Sequence, residues 1–526
     1  QGQPFERGIS QYPMIDDEVY IVTEEDLHSI YGQEQGAEYV SVGNISGADN
    51  IPALVDINKL ISRHCSVVGS TGTGKSTTVA GLISTLIAKN KFPSSRIVLI
   101  DIHGEYGKTF KDSANVFRIY PELEPGLKLV VPYWAMSFDE FVDFTFGDIN
   151  DSDRAQIAEY VLRLKKLTIR ENAEQYACLN ADLISADTPV PFSLKRLVLY
   201  LYRLVFSTHS KPQTGQCYCE IDEDFDLTKT TEAFEEKDGN KQAGGIEPFS
   251  LPVYKAIVDR QIYLAKISVS LKRQLLQLLA RMADPRYDFI FYPDGYVPNE
   301  KGAVENDLDA LLKKWYGEKQ LSVFDVSGVP SSILIDIVGI MLRLMYDSLF
   351  WGRRLPQGAR ERPLLIVMEE AHNYLGTNNN NRASSIVKRI VKEGRKYGMG
   401  AMIVSQRPSE IDPTILSQCG TTISLRLTNS NDKGIVAGTV SDNLSGLVNM
   451  LPILKTGESI IVGEAVRMPM RTNIFFPPEA LRPDSQDPKV AKEVKPRQGW
   501  NKDLSISEND YANITKTWRM QKTKIE

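Results

Sequence analysis

Gly69, four residues, then Gly74, Lys75 and Ser76 match the pattern G-x-x-x-x-G-K-[ST], whose residue types suit one task, holding a triphosphate. Glycines let backbone N–H groups wrap a pyrophosphate, and a helix starting just after them adds a positive end. The expected nucleotide contacts are Ser70, Thr71, Gly72, Thr73, Gly74, Lys75, Ser76 and Thr77. Lys75 is placed to reach the β- and γ-phosphates, and the Ser76 hydroxyl to bind Mg²⁺. The context agrees: Ser66, Val67 and Val68 read as a short strand before the loop. Val79, Leu82, Ile83, Leu86 and Ile87 recur at helical spacing after it.

A second group of chemical residues follows the apolar run 363–368, which delivers Glu369 and Glu370. Acids at a strand end of this kind hold Mg²⁺ and polarise the attacking water. Glu369 is expected to hold the metal through a coordinating water and Glu370 to act as general base. Asp101, at the end of the run 96–101, either serves metal or water indirectly or caps its turn. His103 and His372 read as structural hydrogen-bonders. Gln406, at the tip of the run 401–405, either touches the γ-phosphate or lies in a solvated loop. Arg395 falls on the same helical face as Lys388 and Lys392, near a helix end. It suits insertion into an adjacent subunit's site, with Arg63 as a second candidate. Plain surface arginines are the alternative for both.

These residues need strands and helices in alternation to present them. Runs at 321–325, 363–368, 401–405, 421–427 and 458–462, with a helix over 331–351, predict a layered α/β sheet. The expected division is a partial N-terminal β-barrel (1–50), with strand-like pieces at 18–23 and 38–42, then a first core segment (51–110). A mainly helical insertion (111–319) follows, then a second core segment (320–478) and a C-terminal tail (479–526). Within the insertion, 153–167, 194–206 and 254–282 have helical periodicity, and 208–250 reads as a mobile loop. The asparagines at 378–381 are too polar to pack. The tail carries Trp500, Tyr511 and Trp518 as isolated anchors, suited to docking on something such as a neighbouring subunit.

Length and composition bound the rest. A chain of 526 residues is too long for one ordinary domain, and 42% hydrophobic residues suffice for real cores. The net charge of −6 argues against DNA binding by the general surface but not within a local basic channel. Cysteines 65, 178, 217, 219 and 419 form no even framework, and the pair at 217 and 219 lacks the second pair a zinc site needs. They read as reduced thiols of a cytoplasmic protein. Asp336, Arg343 and Asp347 break the longest apolar run, 333–351, which argues a buried helix and no membrane span. No signal peptide is read, and a start at Gln1 without methionine leaves room for preceding residues.

Taken together, RGISQYP at 7–13, GSTGTGKS at 69–76, DIHGEY at 101–106, EEAHNY at 369–374 and EGRKYG at 393–398 through SQRP at 405–408 resemble the HerA family. That family comprises hexameric DNA translocases of the HerA–FtsK group. The resemblance implies a RecA-like P-loop ATPase core in a homo-hexameric ring, double-stranded DNA in the pore, and ATP with Mg²⁺ between subunits. It supports Lys75, Ser76, Glu369, Glu370 and Gln406 as site residues. It also favours Arg395, and less firmly Arg63, at the subunit interface. It implies a partner as well, a nuclease or a sirtuin-like NAD-hydrolysing effector, in DNA end processing or anti-phage defence. Two other readings stay open: a ring scaffold that assembles an effector, and a protein-remodelling or secretion ATPase.

Overall fold

The computed structural model describes residues 14–18, 20–32, 36–88, 91–121, 124–206, 208–209, 217–218, 263–264, 268–376, 381–438, 445–485, 490–492, 498–499 and 508–520. The 7–13 stretch, Cys219, most of the loop expected at 208–250, the asparagines 378–380 and Trp500 lie outside them. The chain forms two compact units, Gln1–Leu129 with Leu312–Glu526, and Val130–Leu311.

The first unit is built on a twelve-stranded sheet. Its strands are β1 (Tyr39–Ile45), β2 (Ala48–Asp56), β3 (Cys65–Val68), β4 (Arg96–Asp101), β5 (Ala114–Arg118), β6 (Leu127–Lys128), β7 (Leu321–Asp325), β8 (Leu364–Met368), β9 (Met399–Ser405), β10 (Thr421–Ser424), β11 (Glu458–Gly463) and β12 (Met470–Ile474). Their order is β2-β1-β12-β11-β10-β3-β9-β8-β4-β7-β5-β6. From β10 to β6 every pairing is parallel, and from β10 back to β2 every pairing is antiparallel. Every residue of β3, β4, β8 and β9 is buried, which explains their continuous apolar runs: a central parallel strand is covered on both faces. Helices α1 (Ile57–Ser62), α2 (Lys75–Leu86), α3 (Ser331–Trp351) and α4 (Arg382–Glu393) connect them.

Several features differ from the sequence reading, among them Tyr263–Leu264, which pairs as a strand within the run 254–282 read as helical. The expected boundary at residue 51 falls inside β2, because β1 and β2 form a hairpin that joins the sheet edge through β12. The described residues of 18–23 form no strand; Thr23 instead caps the short helix Glu24–Leu27. Ala114–Arg118 is a fully buried strand of the main sheet although the helical insertion was expected to start at 111. Its polar Asn115 and Arg118 disguise it, and Arg118 is neutralised by Asp325 at 2.9 Å.

The second unit is mainly helical, with helices Phe138–Thr145, Asp151–Glu171, Leu194–Phe206 and Ser268–Met282. Aromatic side chains fill its core: Tyr133 packs edge-on against Phe192 and donates its hydroxyl to the Phe192 carbonyl at 2.6 Å. Among the described residues, no helix is long and apolar enough to cross a membrane.

One clamp steadies the antiparallel side of the sheet. The Glu458 carboxylate, 2% exposed, receives Arg471 Nε at 2.6 Å and Nη2 at 3.0 Å, Ser46 Oγ at 2.6 Å and the Lys455 N–H at 3.0 Å. Burial alone raises its pKa, but these donors outweigh it and hold the group at about 2. A folded value below the ordinary 4.5 means the stabilisation is present above that pH and is lost as pH falls from 4.5 toward 2. Arg471→Met strands a buried carboxylate, and we expect it to cost about 3–5 kcal/mol in chemical denaturation. Acid unfolding of that variant should also begin at higher pH than in the parent.

Candidate active site

The loop after β3 turns on Gly72 (φ 71°) and Gly74 (φ 95°), conformations that side chains resist, and Gly74 caps α2. Backbone bonds pin the loop at three points. Gly69 N–H donates to the Ser405 carbonyl at 3.3 Å, Ser70 N–H to that of Arg426 at 2.9 Å, and Gly457 N–H to that of Thr73 at 3.0 Å. The ends of β3, β9 and β10 and the loop before β11 therefore build one cradle. Its helix N-terminus offers free N–H groups to an anion.

Lys75 lies in that cradle, 7% exposed, and donates to Glu370 Oε1 at 3.0 Å. Glu370 follows β8 with a left-handed backbone (φ 44°), a conformation that costs a non-glycine residue about 1–2 kcal/mol. Such strain is typical of functional positions. The other carboxylate oxygen, Oε2, is buried and makes no hydrogen bond, although His372 Nδ1 lies 3.3 Å away. His372 Nδ1 also sits 3.2 Å from Ser405 Oγ, and burial lowers its pKa against the pull of Glu370. The Thr71 hydroxyl donates to Gln406 Oε1 at 2.6 Å, so the tip of β9 touches the loop directly.

Glu369 is 4% exposed. Tyr106 donates its hydroxyl to Glu369 Oε1, the Glu370 N–H approaches Oε2 at 3.3 Å, and Tyr374 donates to the Glu369 carbonyl at 3.1 Å. Burial pushes its pKa up to about 7 against the opposing pull of Lys75 and Tyr106. Asp101 spends its carboxylate on three N–H groups, those of Gly104 at 2.9 Å, Glu105 at 3.2 Å and Tyr106 at 2.9 Å. Burial, helped by neighbouring Asp325, lifts its pKa to about 7 despite those bonds. Asp101 therefore organises the turn that places Tyr106, and its charge also helps raise the pKa of Glu369.

Arg63 and Arg395 are not part of this cluster. Arg63 ends α1 just before β3, and Arg395 stands just before β9, so both lie at the amino ends of strands whose carboxyl ends carry the cradle. The seven residues of β9 put roughly 20 Å between its ends, and the four of β3 about half that. Arg63 is 40% exposed and pairs with Glu464 at 3.0 Å. Arg395 is exposed and lines a cavity of about 560 Å³ that also borders Lys91, Arg96, Arg360 and Arg362.

The donor set suits a nucleotide with Mg²⁺. Glu370 Oε2 is an orphaned buried acceptor beside the loop, and Ser76 and Glu369 supply hard oxygens of the kind Mg²⁺ takes. Among the described residues no group of three or more His, Cys, Asp or Glu could hold a metal. A cation here would rest largely on the nucleotide's own phosphates, as Mg²⁺ does in such enzymes. When held beside Ser76 and Glu369, it would neutralise charge developing on the phosphates. Sequence reasoning missed Tyr106 and Arg426. The first sits in the DIHGEY stretch, five residues after Asp101; the second shows no local signal.

A twelve-stranded, largely parallel sheet with this loop and these acids defines a P-loop ATPase with a RecA-like core. The family described as "Helicase HerA, central domain" matches residues 40–345, more than half of the chain. The chain belongs to the HerA helicase family. It is similar to a probable helicase of Methanocaldococcus jannaschii, 26% identical over 468 residues, covering 88% of this chain and 75% of that one. It is also similar to the DNA double-strand break repair helicase HerA of Saccharolobus solfataricus, 27% identical over 448 residues and covering 85% and 70%. Among solved structures, VirB4 of Thermoanaerobacter pseudethanolicus is 15% identical over 85% of this chain and 99% of that one, with a TM-score of 0.47.

Proposed function

We propose that this chain is one subunit of a homo-hexameric ring that hydrolyses ATP to pump double-stranded DNA through a central channel. Glu370 acts as general base, Lys75 and Gln406 hold the phosphates, and Ser76 and Glu369 face Mg²⁺. Arg395, with Arg63 in a lesser part, reaches the nucleotide of the adjacent subunit. A nuclease or a sirtuin-like NAD-hydrolysing protein works beside the ring, in DNA end processing or anti-phage defence. The tail docks on a neighbouring subunit.

One observation carries this reading. Lys75, Glu369, Glu370 and Gln406 gather at the carboxyl ends of the strands, while the two arginines stand exposed at the amino ends. We read the two sets of residues as halves of one site that a second copy completes. The DNA-handling part draws support from the relatives called DNA double-strand break repair helicases. The net charge of −6 favours a second reading, a ring scaffold that activates an effector while translocation is incidental.

Native mass measurement together with ATPase assays, with and without duplex DNA, separates the two. The translocase predicts a six-copy mass and hydrolysis that rises with duplex. It also predicts duplex binding that weakens steeply with salt, because phosphate contacts release counterions. ATPase activity indifferent to DNA at every salt concentration would leave only the scaffold or a protein-remodelling role.

A further inference from the structure

We infer that Tyr106 is a positioning residue for the metal side of the site, its hydroxyl fixing the Glu369 carboxylate against the start of α2. The inference rests on the proposed assignment of Glu369 to the cation.

The ring of Tyr106 is fully buried and stacks on Phe110 with centroids 6.5 Å apart and planes 2° from parallel. Packing of that kind needs only phenylalanine; the hydroxyl needs a separate reason, because a buried O–H without a partner is costly. It touches two groups, Glu369 Oε1 and, at 3.5 Å, the Ser76 carbonyl. Ser76 and Glu369 are the two residues proposed to face the cation, one on α2 and the other after β8. Tyr106 contacts both, Ser76 through its main-chain carbonyl.

The turn that carries it is built for the purpose. Asp101 takes the N–H groups of residues 104, 105 and 106, and Gly104 lies at φ 74°. A Cβ at Gly104 would come within 3.1 Å of Ser327 Oγ and 3.2 Å of Asp325 Oδ1. Turn, ring and hydroxyl are thus fixed before any ligand arrives. With Tyr106 on Oε1 and the Glu370 N–H near Oε2, the carboxylate plane is set from both sides. Partners of metal-holding carboxylates commonly change metal affinity by 10–100-fold when removed.

The test is a double-mutant cycle in the full chain, read by binding of a fluorescent ATP analogue as Mg²⁺ is titrated. Tyr106→Phe keeps the ring but strips the buried Glu369 Oε1 of its donor, so the thermal midpoint should fall modestly while metal-free analogue affinity stays at the parent value. The Mg²⁺ concentration for half-saturation should rise about tenfold. Glu369→Ala should raise it at least as much, and adding Tyr106→Phe to Glu369→Ala should change nothing further. Parent-like Mg²⁺ dependence in Tyr106→Phe, or additive effects in the double variant, overturns the inference alone. A Glu369→Ala chain with parent-like Mg²⁺ dependence overturns the metal assignment of Glu369, and the inference with it.

Discussion

Glu370→Gln is expected to lower ATP turnover by about 10²–10⁴-fold, the range a positioned general base contributes, while ATP binding persists. The structure gives the reason for both halves. Glu370 holds Lys75 at 3.0 Å, in the position where the lysine would otherwise meet phosphate. On the proposed reading, nucleotide entry would exchange that carboxylate for phosphate oxygens and free Glu370 to take a proton from water. An amide cannot take that proton, and it competes less well for the ammonium. ATP affinity of the variant should therefore equal or exceed that of the parent. Equilibrium ATP binding and single-turnover hydrolysis on the same preparation check the two halves separately. Near-normal hydrolysis would remove Glu370 as the base. Loss of binding would mean that the left-handed backbone at this position (φ 44°) needs the carboxylate for its geometry.

The sheet was legible wherever burial left a mark on local composition. β3, β4, β8 and β9 are buried on both faces and read as unbroken apolar runs, and the helix expected over 331–351 is α3 itself. β5 was not legible, because Arg118 reads as polar although it is neutralised inside by Asp325, more than two hundred residues away in sequence, together with Glu124 at 2.8 Å and the Pro125 carbonyl at 2.6 Å. The site divides in the same manner. The loop and the acids after β8 follow from strand–turn–residue order, which the sequence displays directly. The link between Tyr106 and Glu369 instead depends on register, since β8 pairs with β4 so that Met368 faces Ile100. That pairing brings Glu369, just after β8, beside Asp101, the last residue of β4, and with Asp101 comes the turn holding Tyr106. Nothing local to either segment encodes it.

Arg395→Ala is expected to lower hydrolysis by about 10³–10⁵-fold, the contribution of an arginine supplied to a phosphoryl-transfer site. Alone, that loss does not say whose nucleotide the arginine serves. Geometry does constrain it: the residue stands before β9, roughly 20 Å from its own cradle by strand rise, beyond the reach of one side chain. Mixing therefore becomes the decisive measurement. Lys75→Ala subunits lack a competent cradle but keep Arg395, and Arg395→Ala subunits have the reverse. In a head-to-tail ring assembled from equal amounts of both, about one interface in four joins an intact cradle to an intact arginine. Activity should reappear in the mixture although each parent variant is nearly inactive. Arg63→Ala should cost less, because its guanidinium is already engaged by Glu464 at 3.0 Å and must leave that pair to act elsewhere. Absence of rescue at every mixing ratio, with both variants shown to enter the same ring, would place Arg395 on the surface as an ordinary solvated cation. The nucleotide would then have to be hydrolysed by the residues of one subunit alone.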